Sequence, residues 1–143
     1  LVAQKGITDA DVYFNSPGGS LVAGMAIGRL LRQRGYDTHV GKRTADVHEL
    51  VGGVCYSACP FAYAGGVRRY LEFDSTLAVH RAENRVPLPD GSSFEKLVSQ
   101  QATEYLLAMG VSPELFKIMS QVPHEVIRGL TREEAERLML VNE

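Results

Sequence analysis

The stretch "ADVYFNSPGGSLVAGMAIGRLLRQRG", residues 10–35, joins two different periodicities across a four-residue breaker. Ala10 to Asn15 carries β-branched and aromatic residues and predicts a strand, which Ser16-Pro17-Gly18-Gly19 ends. From Ser20 to Arg34 the pattern changes to a helical one. Leu21, Met25, Ile27, Leu30 and Leu31 fall largely on one face, and Gly35 is a natural stop. A strand that turns directly into a helix is the opening half of a βαβ unit. It predicts an α/β fold with a mostly parallel sheet, in which turns at the strand carboxyl ends carry the chemistry.

Further along the chain, "DTHVG" (37–41) predicts a second short strand, and "KRTADVHELVGG" (42–53) a loop or flap with one helical turn. Residues 57–64 read as a short buried helix and "VRRYLE" (67–72) as a connection or edge strand. "STLAVHR" (75–81) reads as a third strand ending near His80. The charged, proline-containing run 82–93 is expected to be flexible. Beyond it the chain is helical over 94–109, over 112–121, and over 131–139 behind a Thr-x-x-Glu capping box.

A chain of 143 residues with 45% hydrophobic and 22% charged content fits one domain over 1–143. Lys and Arg number 15 against 17 Asp and Glu, so no basic excess recommends nucleic acid as a partner. No apolar run is long enough for a membrane helix, and the first residues given lack the charged head, apolar stretch and cleavage site of a signal peptide. Leu rather than Met at position 1 gives the expectation of a trimmed product whose N-terminal segment is missing.

Two segments carry candidate chemistry. In "NSPGGS" (15–20) a glycine pair sits where a strand gives way to a helix. Unpaired N–H groups there suit a phosphate, a carboxylate or a developing oxyanion, while the dinucleotide and P-loop fingerprints are absent. In "GGVCYSACPFAYAGG" (52–66), Ser57 stands just before a short apolar helix. Its hydroxyl and the next N–H can then share one turn, as a nucleophile and an oxyanion donor do; the plainer reading is a helix cap. A serine needs a base, and His80 closes an apolar strand 23 residues later. His39, His48 and His124 compete, His48 from the flap and His124 from a late polar turn. The single Cys-x-x-x-Cys pair lacks two further ligands for structural zinc, and no metal or cofactor is expected. Cys55 and Cys59 read first as two small buried thiols and, if the segment bends at Ser57, as a disulfide across that turn.

Taken in order, "NSPGGS…AGMAI", a serine in a small-residue apolar segment and a histidine at a strand end resemble the proteolytic subunit of Clp protease, over nearly the whole chain. "CYSACPFAYAGG…HR", "LLAMGVSPELF" and "IRGLTREEAERLML" are more similar still to the Clp-protease-related proteins of bacteria predicted to be exported. The resemblance implies a Clp/crotonase-type ββα spiral core with flanking helices and a helical C-terminal part. It implies Ser57 as nucleophile, His80 as general base, and the N–H groups of Gly19 and Ala58 as oxyanion hole. It also implies a peptide or protein substrate, self-association through the helix 94–109, and a periplasmic or exported location over a cytoplasmic one; it does not reach an ATPase partner. The tail "LTREEAERLMLVN" resembles the Clp subunit's final helix and closing strand.

The pattern departs from the family at one place. Where the third triad residue is an Asp, this chain has Ile127. Glu125 and Asp74 are the carboxylates considered for orienting His80, with a Ser/His dyad as the other option. Loss of the acid can lower turnover by roughly 10⁴ where a full triad exists, which makes a weakly active or inactive scaffold the rival reading. A serine–lysine arrangement using Lys96 or Lys117, and crotonase-type acyl-CoA chemistry, are the remaining alternatives.

Overall fold

Strand β1 (Asp11–Phe14) leads through the glycine turn into α1 (Leu21–Arg34), and β2 (Asp37–Val40) returns beside β1. The computed structural model describes residues 9–44, 49–82 and 94–143. The chain continues through β3 (Lys42–Arg43), β4 (Leu50–Val51), β5 (Val54–Tyr56), α2 (Cys59–Tyr63), β6 (Arg69–Leu71) and β7 (Thr76–Val79). The C-terminal part holds α3 (Phe94–Met109), α4 (Glu114–Ser120), β8 (Arg128–Leu130) and α5 (Arg132–Arg137). Strands β1, β2 and β6 form one parallel sheet, with β6 at its edge. In a second sheet β5 pairs parallel to β7, and β7 antiparallel to β8. A parallel bridge between Ser16 and Cys55 joins the end of the first sheet to the start of the second. The α/β class and the mostly parallel sheet are as predicted.

Helix α1 is bounded as its sequence dictates. The Ser20 hydroxyl accepts from the Ala23 N–H, and Gly35 closes the helix in the left-handed region. Its buried face differs from the predicted one. Leu21, Met25 and Leu31 face inward, but so do Gly24 and Gly28, whereas Ile27 and Leu30 are 46% and 50% exposed. A Cβ on Gly24 would come within 2.8 Å of the Ala58 carbonyl, and one on Gly28 would strike the Tyr105 hydroxyl. The helix therefore seats its glycine stripe, not its bulkiest stripe, against α2 and α3.

Two further expectations need correction. Within the stretch 42–53, expected to be a loop or flap, Lys42–Arg43 and Leu50–Val51 instead form the antiparallel pair β3–β4, since Lys42 and Arg43 find main-chain partners in Val51 and Leu50. Residues 45–48, with His48, and the run 83–93 lie outside the described residues. No strand follows α5 among the described residues. There Asn142 docks by its side chain, accepting from Arg69 N–H and donating to the Val67 carbonyl. The buried Arg69 guanidinium donates to the carbonyls of Gly66, Met139 and Leu140, binding the tail to the end of α2. Burial lowers its pKa from the ordinary value.

Candidate active site

Ser57 occupies the bend between β5 and α2. Its N–H donates to the Ala78 carbonyl at 3.0 Å, extending the β5–β7 ladder by one residue. Its φ is +65°, a conformation costing an L-residue about 1–2 kcal/mol, so the surroundings must impose it. Two features do so. Gly18, itself at φ +112°, lies so close that an added Cβ would sit 2.6 Å from both the Ser57 Cβ and the Tyr56 carbonyl. Cys55 and Cys59 are joined as a disulfide with Cα atoms 5.1 Å apart, which corrects the reading as two free thiols. The physical reason is the bend: with Ser57 left-handed, the residues flanking it turn back toward each other, where a continuous strand would have held them apart. Helix α2 is capped by Ala58 with no side-chain bond, so the Ser57 hydroxyl is not a cap.

His80 follows β7 directly. Its Nε2 lies 2.7 Å from Ser57 Oγ, and its Nδ1 lies 2.7 Å from the main-chain carbonyl of His124. A carbonyl only accepts, so Nδ1 carries the proton and Nε2 presents its lone pair to the serine hydroxyl. The carbonyl takes the place considered for Glu125 or Asp74; both belong to exposed residues, and neither carboxylate holds Nδ1. Ile127 is 44% exposed. Lys96 and Lys117 are exposed and are not among the residues lining the cleft. His39 is engaged elsewhere, stacked between Tyr13 and Tyr70 with its ring nitrogens 2.6 Å from Glu72 and 2.8 Å from Asp11. His124, set aside above as part of a polar turn, instead stacks on His80 with ring centroids 4.7 Å apart. Only the tertiary fold brings them together, since 44 residues separate them and no periodicity links them.

Gly19, Ser57, Ala58, His80, Met119 and His124 border one cleft of about 350 Å³. Among the described residues the N–H groups of Gly19 and Ala58 have no protein acceptor. A smaller apolar pocket of about 180 Å³ adjoins it, lined by Phe14, Ala23, Gly24, Ile27, Ala58 and Cys59 among others. Chemically, the arrangement pairs a hydroxyl with a base in its accepting tautomer, beside two uncommitted N–H groups and an apolar recess.

ClpP1 from Listeria monocytogenes superposes over 99% of this chain and 76% of its own, with a TM-score of 0.64 and 17% sequence identity. The fold is that of a Clp protease subunit. A 1510-N membrane-bound stomatin-specific protease, solved as a point mutant in complex with a substrate peptide, shares this Clp-type fold: TM-score 0.59, 14% identity, 99% of this chain and 62% of that one. By sequence, the ATP-dependent Clp protease proteolytic subunit of Oltmannsiellopsis viridis is 27% identical over 133 residues, 93% of this chain. The chain spans 60% of that relative's length. No family model matches it. These neighbours are all named as proteases. No helix among the described residues is long and apolar enough to cross a membrane.

Proposed function

We propose that this chain is a serine hydrolase acting on peptide bonds. The observation that carries the reading is the 2.7 Å contact between Ser57 Oγ and His80 Nε2, with Nδ1 already committed to an acceptor. Ser57 Oγ attacks the substrate carbonyl carbon while His80 Nε2 takes the hydroxyl proton. The carbonyl oxygen becomes an oxyanion, which the Gly19 and Ala58 N–H groups stabilise. Collapse breaks the C–N bond, the proton passes from His80 to the leaving amine, and an acyl-serine remains. Water then gives a proton to His80, attacks the ester and releases the acid, returning the proton to Ser57.

The apolar recess beside Ala58 favours a substrate residue with a small or medium apolar side chain next to the scissile bond. Peptide as the substrate class rests on the likeness to proteases. Self-association through α3 belongs to the same reading and is supported by exposed Leu97 and Leu107 on that helix. The rival reading, a Clp-like binding scaffold, is disfavoured by a hydroxyl–imidazole contact at hydrogen-bonding distance. A fluorophosphonate probe followed by peptide mapping tests the proposal. Modification is expected at Ser57 and lost in Ser57→Ala and His80→Ala; an unmodified Ser57 in the intact protein would overturn it.

A further inference from the structure

The position that orients a catalytic histidine is filled here by main chain, and the residue supplying that main chain also supplies a ring. Three hydrogen bonds bind the segment 122–124 to the end of β7. The Arg81 N–H donates to the Val122 carbonyl at 2.9 Å, His124 Nδ1 donates to the Arg81 carbonyl at 3.2 Å, and His80 Nδ1 donates to the His124 carbonyl at 2.7 Å. The last two are reciprocal: each imidazole gives its Nδ1 proton to a carbonyl of the other's segment. The rings lie nearly parallel, 14° apart, and so stack while making this exchange. The segment is placed by its neighbours. Val122 closes α4 onto the Met119 carbonyl, Val126 N–H bonds the Pro123 carbonyl, and beyond the turn β8 pairs antiparallel with β7. His124 also borders the cleft that holds Ser57.

We infer that His124 is the positioning residue of the site: its carbonyl fixes the tautomer and direction of His80, and its stacked imidazole clamps that carbonyl in place. The inference rests on the serine-hydrolase reading and deepens it. A carbonyl selects the same tautomer as a carboxylate would. It carries only a partial charge, so it stabilises the imidazolium less. The expected enzyme is one with a correctly oriented base and a modest acylation rate, which is what a chain with Ile127 in the acid's usual place can still support.

The test measures fluorophosphonate inactivation of the whole chain, separating the maximal rate kinact from the binding constant KI. His124→Ala keeps the carbonyl but loses the stack and the Arg81 bond. It is expected to lower kinact about tenfold with KI unchanged. His124→Phe restores a stacking face and is expected to recover kinact to within about threefold of the wild type. In ¹⁵N-histidine-labelled protein, the hydrogen-bonded His80 Nδ1–H resonance should be present in the wild type, lost in His124→Ala and regained in His124→Phe. Should His124→Ala not fold, the Phe and a His124→Gln variant carry the comparison, with Gln expected to be the slower. Wild-type kinact in His124→Ala, or a tenfold loss in Glu125→Gln or Asp74→Asn, would overturn the assignment. If the wild type is not labelled at Ser57 at all, the hydrolase reading fails, and the Nδ1–H resonance alone decides whether the clasp exists.

Discussion

Reduction of the Cys55–Cys59 bridge opens a loop of residues 55 to 59 centred on Ser57, and its cost can be worked in two parts. The first is global. Closing so short a loop removes about 2 kcal/mol of chain entropy from the unfolded state. Spread over an unfolding entropy of about 2.1 cal/mol/K per residue, that loss lowers the melting midpoint of a 143-residue chain by about 7 °C. The second is local. Ser57 at φ +65° sits about 1–2 kcal/mol above the conformations it would otherwise prefer. With the bridge closed, the flanking Cα atoms are held 5.1 Å apart and the bend is imposed. With it open, the turn relaxes for part of the time. A bias of about 1.4 kcal/mol is a factor of ten in the competent population, so the rate of serine labelling should fall by up to about tenfold. The assay compares wild-type protein with and without dithiothreitol, checks thiol release by alkylation mass, and records thermal unfolding and fluorophosphonate rate on the same samples. The Cys55→Ala/Cys59→Ala variant should behave as the reduced form. If the reduced protein melts within about 1 °C of the oxidised one and labels at the same rate, Gly18 and the β5–β7 ladder hold the turn unaided and the reasoning is refuted.

Two other predictions test the frame around the site. Gly18→Ala places a Cβ 2.6 Å from main-chain oxygen at a φ that alanine avoids; serine labelling should drop at least tenfold while circular dichroism reports an intact fold, and full labelling would show that the turn can yield. At the C-terminal helix, the Arg128 hydrogen bond, with that of the Thr131 N–H, holds the Glu134 carboxylate below its ordinary 4.5. A depressed folded value means stability that is present above about pH 4.5 and lost as pH falls through the lower folded pKa. Glu134→Gln keeps the capping-box reach but not the charge, so it should be less stable by under about 1 kcal/mol at pH 7, with the gap to wild type narrowing as the pH is taken below 4.5 in urea unfolding; an offset that stays constant as the pH falls would refute the linkage.

How much was legible along the chain follows from the range of each interaction. The β1–turn–α1 unit, the Ser20 and Gly35 caps and the Thr131/Glu134 capping box involve residues within four or five positions of one another, and their patterns were readable as such. The buried face of α1 was misjudged because side-chain bulk marks a core only when the partner surface leaves room. Here Ala58 and Tyr105 come so near the axis that glycine alone fits. The short pair β3–β4 was missed because its strands carry two residues each, too few for a period to register.

The candidate site divides in the same way. Residue order alone establishes that a serine stands at a strand-to-helix bend between two cysteines, that a histidine closes the following apolar strand, and that no acid occupies position 127. Those are statements about residue type and local pattern, which short-range sterics and periodicity enforce. It takes the folded chain to establish that the cysteines are bridged, that Ser57 and His80 meet at 2.7 Å, and that the acceptor at Nδ1 is the carbonyl of His124. A backbone carbonyl has no letter in the sequence. Every residue carries one, and which of them reaches the imidazole depends on how a turn 44 residues away packs against the end of β7.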